Sequence, residues 1–260
     1  MRWFVVVAAS LVALSAHLPA EDYPNFLDHP LLSDRMRSDI EPYLLPLDHP
    51  VKERLDALFL QSQVLENEES LAAAGFNVLV PPLPSSYIIV ARHPLIPGYI
   101  FKLHLDSETR SRKQLPHWIW LARRCEQAMQ IRKIIKRKQI QHFVVADKWL
   151  YLLPAHSPCN SANPQPVLLV ETDMQLQPYE VSVHMWKTAM TRAHLDELYT
   201  ILKQGYGGPS VLYSTTNIPY TDQGTFAFID TEGPRSDLNL KRIKQYLSEQ
   251  MQAYWDTLIH

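Results

Sequence analysis

Hydrophobic positions along the chain change period at Phe76, and that change divides it. Val51, Leu55, Leu58 and Phe59 recur at helical spacing within 51–63. A second short helix is expected over 66–74, stopping at Gly75 in the manner of a glycine C-cap. From Phe76 onward, short β-branched or aromatic runs at 77–80, 87–91 and 99–105 are strands. Pro81-Pro82-Leu83-Pro84-Ser85-Ser86, His93-Pro94 and Pro97-Gly98 punctuate them. In the third run Ile100, Lys102 and His104 share one face. A lysine in mid-strand reads either as an edge or snorkelling residue or as a functional one. His117 to Lys138 is the longest helical stretch, with Trp118, Leu121, Cys125 and Ala128 on a stripe facing a core. Strands at 142–146 and 149–153 follow, joined by an Asp147-Lys148 turn, and a polar proline loop leads into the apolar run 167–171. Beyond it the spacing predicts a helix over 181–204, an apolar strand at 226–229 ending on Asp230, and a closing amphipathic helix over 238–258.

These elements predict an α+β fold: an antiparallel sheet with one long helix, then a mainly helical remainder. The expected division is a leader at 1–20, an extension with short helices at 21–74, a sheet-containing lobe at 75–171 and a reduced helical lobe at 172–260. A chain of 260 residues can bury a core as one domain or two lobes. Arg2, the apolar run Trp3 to Leu14 and the small residues up to Ala20 read as a cleaved secretory signal, hence a secreted or periplasmic protein. The alternative is a membrane anchor through residues 3–20. In an oxidising compartment Cys125 and Cys159 could pair; the other reading packs Cys125 as a small apolar residue on its helix.

Net charge of -2 favours neither nucleic acid nor membrane as partner. Seven glycines against twenty prolines leave no Walker loop and no complete G-x-G-x-x-G, so Rossmann and P-loop chemistry are excluded. G-x-S-x-G, H-E-x-x-H and C-x-x-C are absent as well. Asp28-His29-Pro30 and Asp48-His49-Pro50 could supply metal ligands, or could simply shape an irregular wrap. The stretch Arg110 to Lys138 holds ten basic side chains against Glu126 alone. It reads as a solvated helix face, or as a docking patch for an anionic partner such as a lipid headgroup surface. Aromatic residues are not interleaved as single-stranded nucleic acid requires.

The order of a lysine strand, a long helix with one glutamate, further strands, an Asn loop and an apolar strand ending in Ile229-Asp230-Thr231-Glu232 resembles the protein-kinase-like superfamily, small-molecule phosphotransferases included. The resemblance covers roughly 75–232 and implies a two-lobed fold binding ATP and Mg²⁺. Carried over, Lys102 matches the lysine that contacts the α- and β-phosphates, and Glu126 its helix partner. The segment 168–173, Glu171 included, matches the hinge that receives adenine. Asn217, Asp230 and Glu232 match the metal-holding positions. The departures fall on catalysis. Leu212 stands where the catalytic Asp belongs, and no carboxylate lies between Glu197 and Asp222. Prolines replace the glycines that would cradle phosphate. The chain also ends thirty residues past Asp230, short of a full C-lobe. The resemblance therefore implies a degenerate, pseudokinase-type binding or scaffold domain with no confident catalytic residue. The alternative is a divergent Mg-ATP-dependent phosphotransferase.

Overall fold

Among the described residues, three short α-helices precede the change of period: α1 (Asp34–Ile40), α2 (Lys52–Gln61) and α3 (Glu68–Ala73). Ser33 and Asn67 cap the first and third by accepting the amides of Met36 and Ser70. In the computed structural model, which describes residues 26–84, 86–204, 214–232 and 239–260, the chain then enters a sheet. Strands β1 (Asn77–Val80), β2 (Ile89–Arg92) and β3 (Tyr99–Leu103) form an antiparallel meander. After α4 (His117–Lys138) and β4 (Phe143–Val145), strands β5 (Lys148–Leu152) and β6 (Val167–Thr172) join the same sheet. The order is β1-β2-β3-β6-β5, antiparallel throughout. Lys102 thus lies on the central strand and is buried, so the edge-strand reading fails.

Each face of the sheet buries its own core. Phe101, Leu103, Tyr151, Leu168 and Val170 pack against Leu55 and Phe59 of α2 and Leu71 of α3. On the other face Leu150, Leu152, Val167 and Leu169 meet Leu121, Ala122 and Cys125 of α4, with Met36 and Ile40 of α1. The end of α4 crosses into a third core through Ile131 and Ile134. That core gathers α5 (Tyr179–Thr188), α6 (Arg192–Leu202), α7 (Ser214–Asn217), β7 (Phe226–Phe228), a 3-10 turn (Leu240–Tyr246) and α8 (Glu249–Ile259). β4 and β7 pair in parallel inside it, and Trp186 and Trp255 are fully buried there.

Two expected helices are broken in two. The 181–204 helix divides into α5 and α6 because Thr191 accepts the His194 amide and starts a new N-terminus. The closing helix breaks at Leu247, after which Ser248 caps α8 through the Met251 amide. In both cases a cap residue inside a periodic run reset the backbone. Lys148, expected in a turn, is instead the first residue of β5 and points inward.

The His-Pro pairs are structural. In His29-Pro30, His49-Pro50 and His93-Pro94 the ring Nδ1 accepts the amide two residues on, from Leu31, Val51 and Leu95. The same histidine's carbonyl accepts the amide three residues on, closing a turn whose second residue is the proline. With Nδ1 accepting, the proton sits on Nε2, which donates to the Leu153 carbonyl from His29 and to the Ala74 carbonyl from His93, both at 3.0 Å. His49 packs against Tyr99 and Trp149 instead. Of the two readings of Asp28-His29-Pro30 and Asp48-His49-Pro50, the geometry favours the irregular wrap: both imidazoles are spent on turns. Gly75, beside His93, has φ +92, and a Cβ there would stand 3.0 Å from His93 Nε2. Gly75→Ala is expected to cost about 1–2 kcal/mol from the left-handed backbone alone. Urea unfolding reads the loss, and a midpoint equal to wild type contradicts the turn's requirement for glycine.

Candidate functional site

Strand register assembles a charged cluster on the face that carries α4. Glu171 of β6 lies opposite Lys148 of β5 on one side and opposite Ile100 of β3 on the other. Residues in cross-strand register, and residues two apart on one strand, project to the same face. Lys102, Glu171 and Lys148 therefore meet. Lys102 Nζ lies 3.0 Å from Glu171 Oε1, and Lys148 Nζ lies 3.0 Å from Oε2. All three side chains are at most 10% exposed.

The second half of the cluster arrives from the segment after β7. Both ammonium groups donate to the Ile229 carbonyl, Lys102 at 2.8 Å and Lys148 at 2.7 Å. The Ile229 amide in turn donates to the Asn217 carbonyl at 3.1 Å, which holds the Asn217 turn beside the end of the strand. Asp230 Oδ1 stands 3.5 Å from Arg124 Nε. Thr231 Oγ1 donates to the Arg124 carbonyl at 2.7 Å. Glu232 is clamped between two guanidinium groups, Arg124 at 2.9 Å and Arg112. Arg112 and Arg123 also lie over the buried Trp120 ring, at 4.5 and 4.9 Å from its centroid. Among the described residues four cations face three carboxylates here, and each of these groups has a partner.

Burial and neighbours oppose each other at these groups. Burial and the adjacent Lys102 pull the Lys148 ammonium down to about 8, against the attraction of Glu171 and Asp230. Burial pushes the Glu171 carboxyl up, but Lys102 and Lys148 win and hold it below the ordinary value. The same holds for Asp230, where burial is outweighed by Arg124, Lys102, Lys148 and Arg112. Both carboxylates are ionised at neutral pH. Cys125, on the α4 face turned to the cluster, has its thiol pushed up to about 12 by burial and is unreactive.

Several expected roles change. Glu126 is not the partner of Lys102: its side chain lines a cavity of about 380 Å³ with Asp39, Tyr43 and Arg123, and Glu171 supplies the carboxylate instead. The expected hinge is the interior strand β6, whose backbone pairs with β3 on one side and β5 on the other. Its amides and carbonyls are thereby engaged in the sheet rather than offered to an adenine. Of the proposed metal positions, Asp230 and Glu232 face Arg124, and the Asn217 side chain accepts from Thr216. The basic stretch is not one solvated face. Arg110 pairs with Glu108, Arg112 and Arg124 with Glu232, and Arg132 with Asp147, while Lys133, Lys136, Arg137 and Lys138 remain exposed. Cys125 and Cys159 are both free thiols.

The sequence reading missed Lys148, Arg112 and Arg124. Arg124 was legible in principle: it stands seven residues before Ile131, on the buried side of α4. The leader at 1–20 and Leu212 lie outside the described residues. Among the described residues no helix is long and apolar enough to cross a membrane. Compared with known proteins, the chain matches no family model and no curated protein.

Proposed function

We propose that the chain is a degenerate kinase-like domain, secreted, that works as a binding or scaffold module with little or no phosphotransfer. The observation that carries this reading is the convergence of Lys102 and the Ile229-Asp230 strand end, far apart in sequence, under a long helix packed on an antiparallel sheet. In the resemblance that pair would contact nucleotide phosphates and the metal between them. Here the helix presents Arg124 to Asp230 and Glu232, so a fixed guanidinium sits where a divalent cation would be needed. A resident Mg²⁺ fits this donor set poorly, because it would have to displace Arg124 and leave a buried cation unpaired. Lys102 is likewise held by Glu171 and the Ile229 carbonyl. The cluster ties two layers of the fold together, and the exposed Lys133, Lys136, Arg137 and Lys138 are left as the surface for an anionic partner.

Thermal unfolding with and without Mg-ATP tests the proposal. A ligand at a hundred times its Kd would stabilise the folded state by about 2.7 kcal/mol. The expected result is no Mg-dependent shift in wild type. A Mg-dependent shift that disappears in Asp230→Ala, accompanied by phosphate turnover, overturns the binding-module reading in favour of a divergent phosphotransferase.

A further inference from the structure

Among the described residues, three carboxylates are strongly buried: Glu171, Glu232 and Asp106. The first two face ammonium or guanidinium groups at close range. Among the described residues Asp106 forms no salt bridge within 4 Å, and the nearby Glu66 adds negative charge to its surroundings. Its Oδ1 accepts the Gln165 amide at 2.8 Å. Its Oδ2 has two weak donors, Gln63 Nε2 at 3.4 Å and the Cys159 thiol at 3.9 Å. A carboxylate withdrawn from water with so little compensation is a site for a positive group.

The same residues line a cavity of about 200 Å³. Phe59, Val64, Leu65 and Leu153 give it an apolar side, and His29, Ser62, Gln63 and Gln165 a polar one beside Asp106. The proline-rich loop from Pro154 to Pro164 forms its rim and brings Cys159 and Ser157 to it. The Ser157 hydroxyl is shielded from solvent and has no hydrogen-bond partner among the described residues. An apolar cavity of about 150 Å³ accommodates benzene, so this one is large enough for a ring plus a short polar arm. An apolar side facing convergent polar groups can seat a small molecule in one orientation.

We propose that this cavity binds a small organic cation, a primary amine on an apolar body of about benzyl size, with its ammonium on Asp106. The site is separate from the Lys102–Asp230 cluster and does not depend on the function assigned there.

Benzylamine and its neutral counterpart benzyl alcohol, titrated against the full chain, test this directly. Benzylammonium is expected to raise the melting temperature and to bind at least tenfold tighter than the alcohol. It is also expected to slow the reaction of Cys159 with an aromatic disulfide reagent, while the buried Cys125 stays silent in both states. Asp106→Asn keeps an acceptor for the Gln165 amide and is expected to erase the preference for the amine. Equal affinity for amine and alcohol, no binding of either, or binding that leaves Cys159 unprotected overturns the proposal. The wild-type comparison decides the matter even where the Asn variant fails to fold.

Discussion

Glu171→Gln is expected to destabilise the protein by about 3–5 kcal/mol, the size of loss seen when one partner of a buried ion pair is removed. The variant keeps the shape of the side chain and its position on β6. It removes the negative charge that two ammonium groups share, at 3.0 Å each, in a place where Lys148 has no exposed side-chain surface. Neither lysine can turn to water without leaving the Ile229 carbonyl. For a chain of this length, about 2–4 °C per kcal/mol makes the fall in melting temperature roughly 10 °C. Lys148→Met is expected to cost less, because Glu171 keeps Lys102 and the pair remains neutral. The triple variant Lys102→Met, Lys148→Met, Glu171→Gln is expected to recover most of the loss, since well-packed apolar groups often replace a buried ionic cluster without penalty. Urea unfolding of the four proteins measures this. A Glu171→Gln loss below about 1 kcal/mol, typical of an exposed pair, contradicts a buried charge lock.

What that lock joins explains why half of it was legible in the sequence and half was not. Lys102 stood out because a charge in an apolar β run conflicts with its neighbours, and Asp230 because an apolar strand ends on it. Both are local signals. Glu171 could be read as a strand residue but not as the counter-charge, because its partners are set by β6 inserting between β3 and β5. No local pattern encodes that insertion; loop closure over long separations does. Lys148 sits in an Asp-Lys pair that resembles a turn, and Arg124 is a charge on the buried side of α4, which a stripe of apolar residues does not mark. Trp118, placed on that stripe, does pack against the core that holds Leu121 and Cys125, but it is only half-buried and also lines the cavity with Tyr43 and Glu126.

The same asymmetry holds for the fold. Strand positions and α4 follow from composition and period, since β-branched runs between prolines have few alternatives. The breaks at Thr191 and Ser248 do not, because a serine or threonine within a periodic helix becomes a cap only when packing bends the chain there. Trp186 of α5 and Trp255 of α8 are buried in the core these helices share with α6, and their indole nitrogens donate to the carbonyls of Ile218 and Leu240. Those bonds are tertiary, and no local period announces them.

Acidification is expected to destabilise the protein below neutral pH, with His104 as the largest single contributor. The His104 ring is 1% exposed, lies 3.9 Å from the His117 ring, and is held down to about 2 by burial, then by His117 and Arg124. Its ordinary value is 6.5, so the unfolded chain takes up the proton first. The stability that a neutral His104 contributes is present above 6.5 and is lost as pH falls toward 2. Each pH unit in that window costs about 1.4 kcal/mol, or about 2 kcal/mol between pH 6.5 and about 5. Burial also lowers His29, His49, His117 and His194, and each adds in the same direction. Glu171 and Asp230, held below ordinary carboxylate values, begin to contribute only at lower pH, and Asp106, raised by burial, offsets part of that. Urea unfolding across this range is expected to show protons taken up on unfolding. His104→Leu is expected to reduce that uptake by close to one proton while leaving stability at about pH 8 within roughly 1.5 kcal/mol of wild type. An unchanged pH slope in the variant would show that the folded protein protonates His104 as readily as the unfolded chain does, and would overturn this assignment.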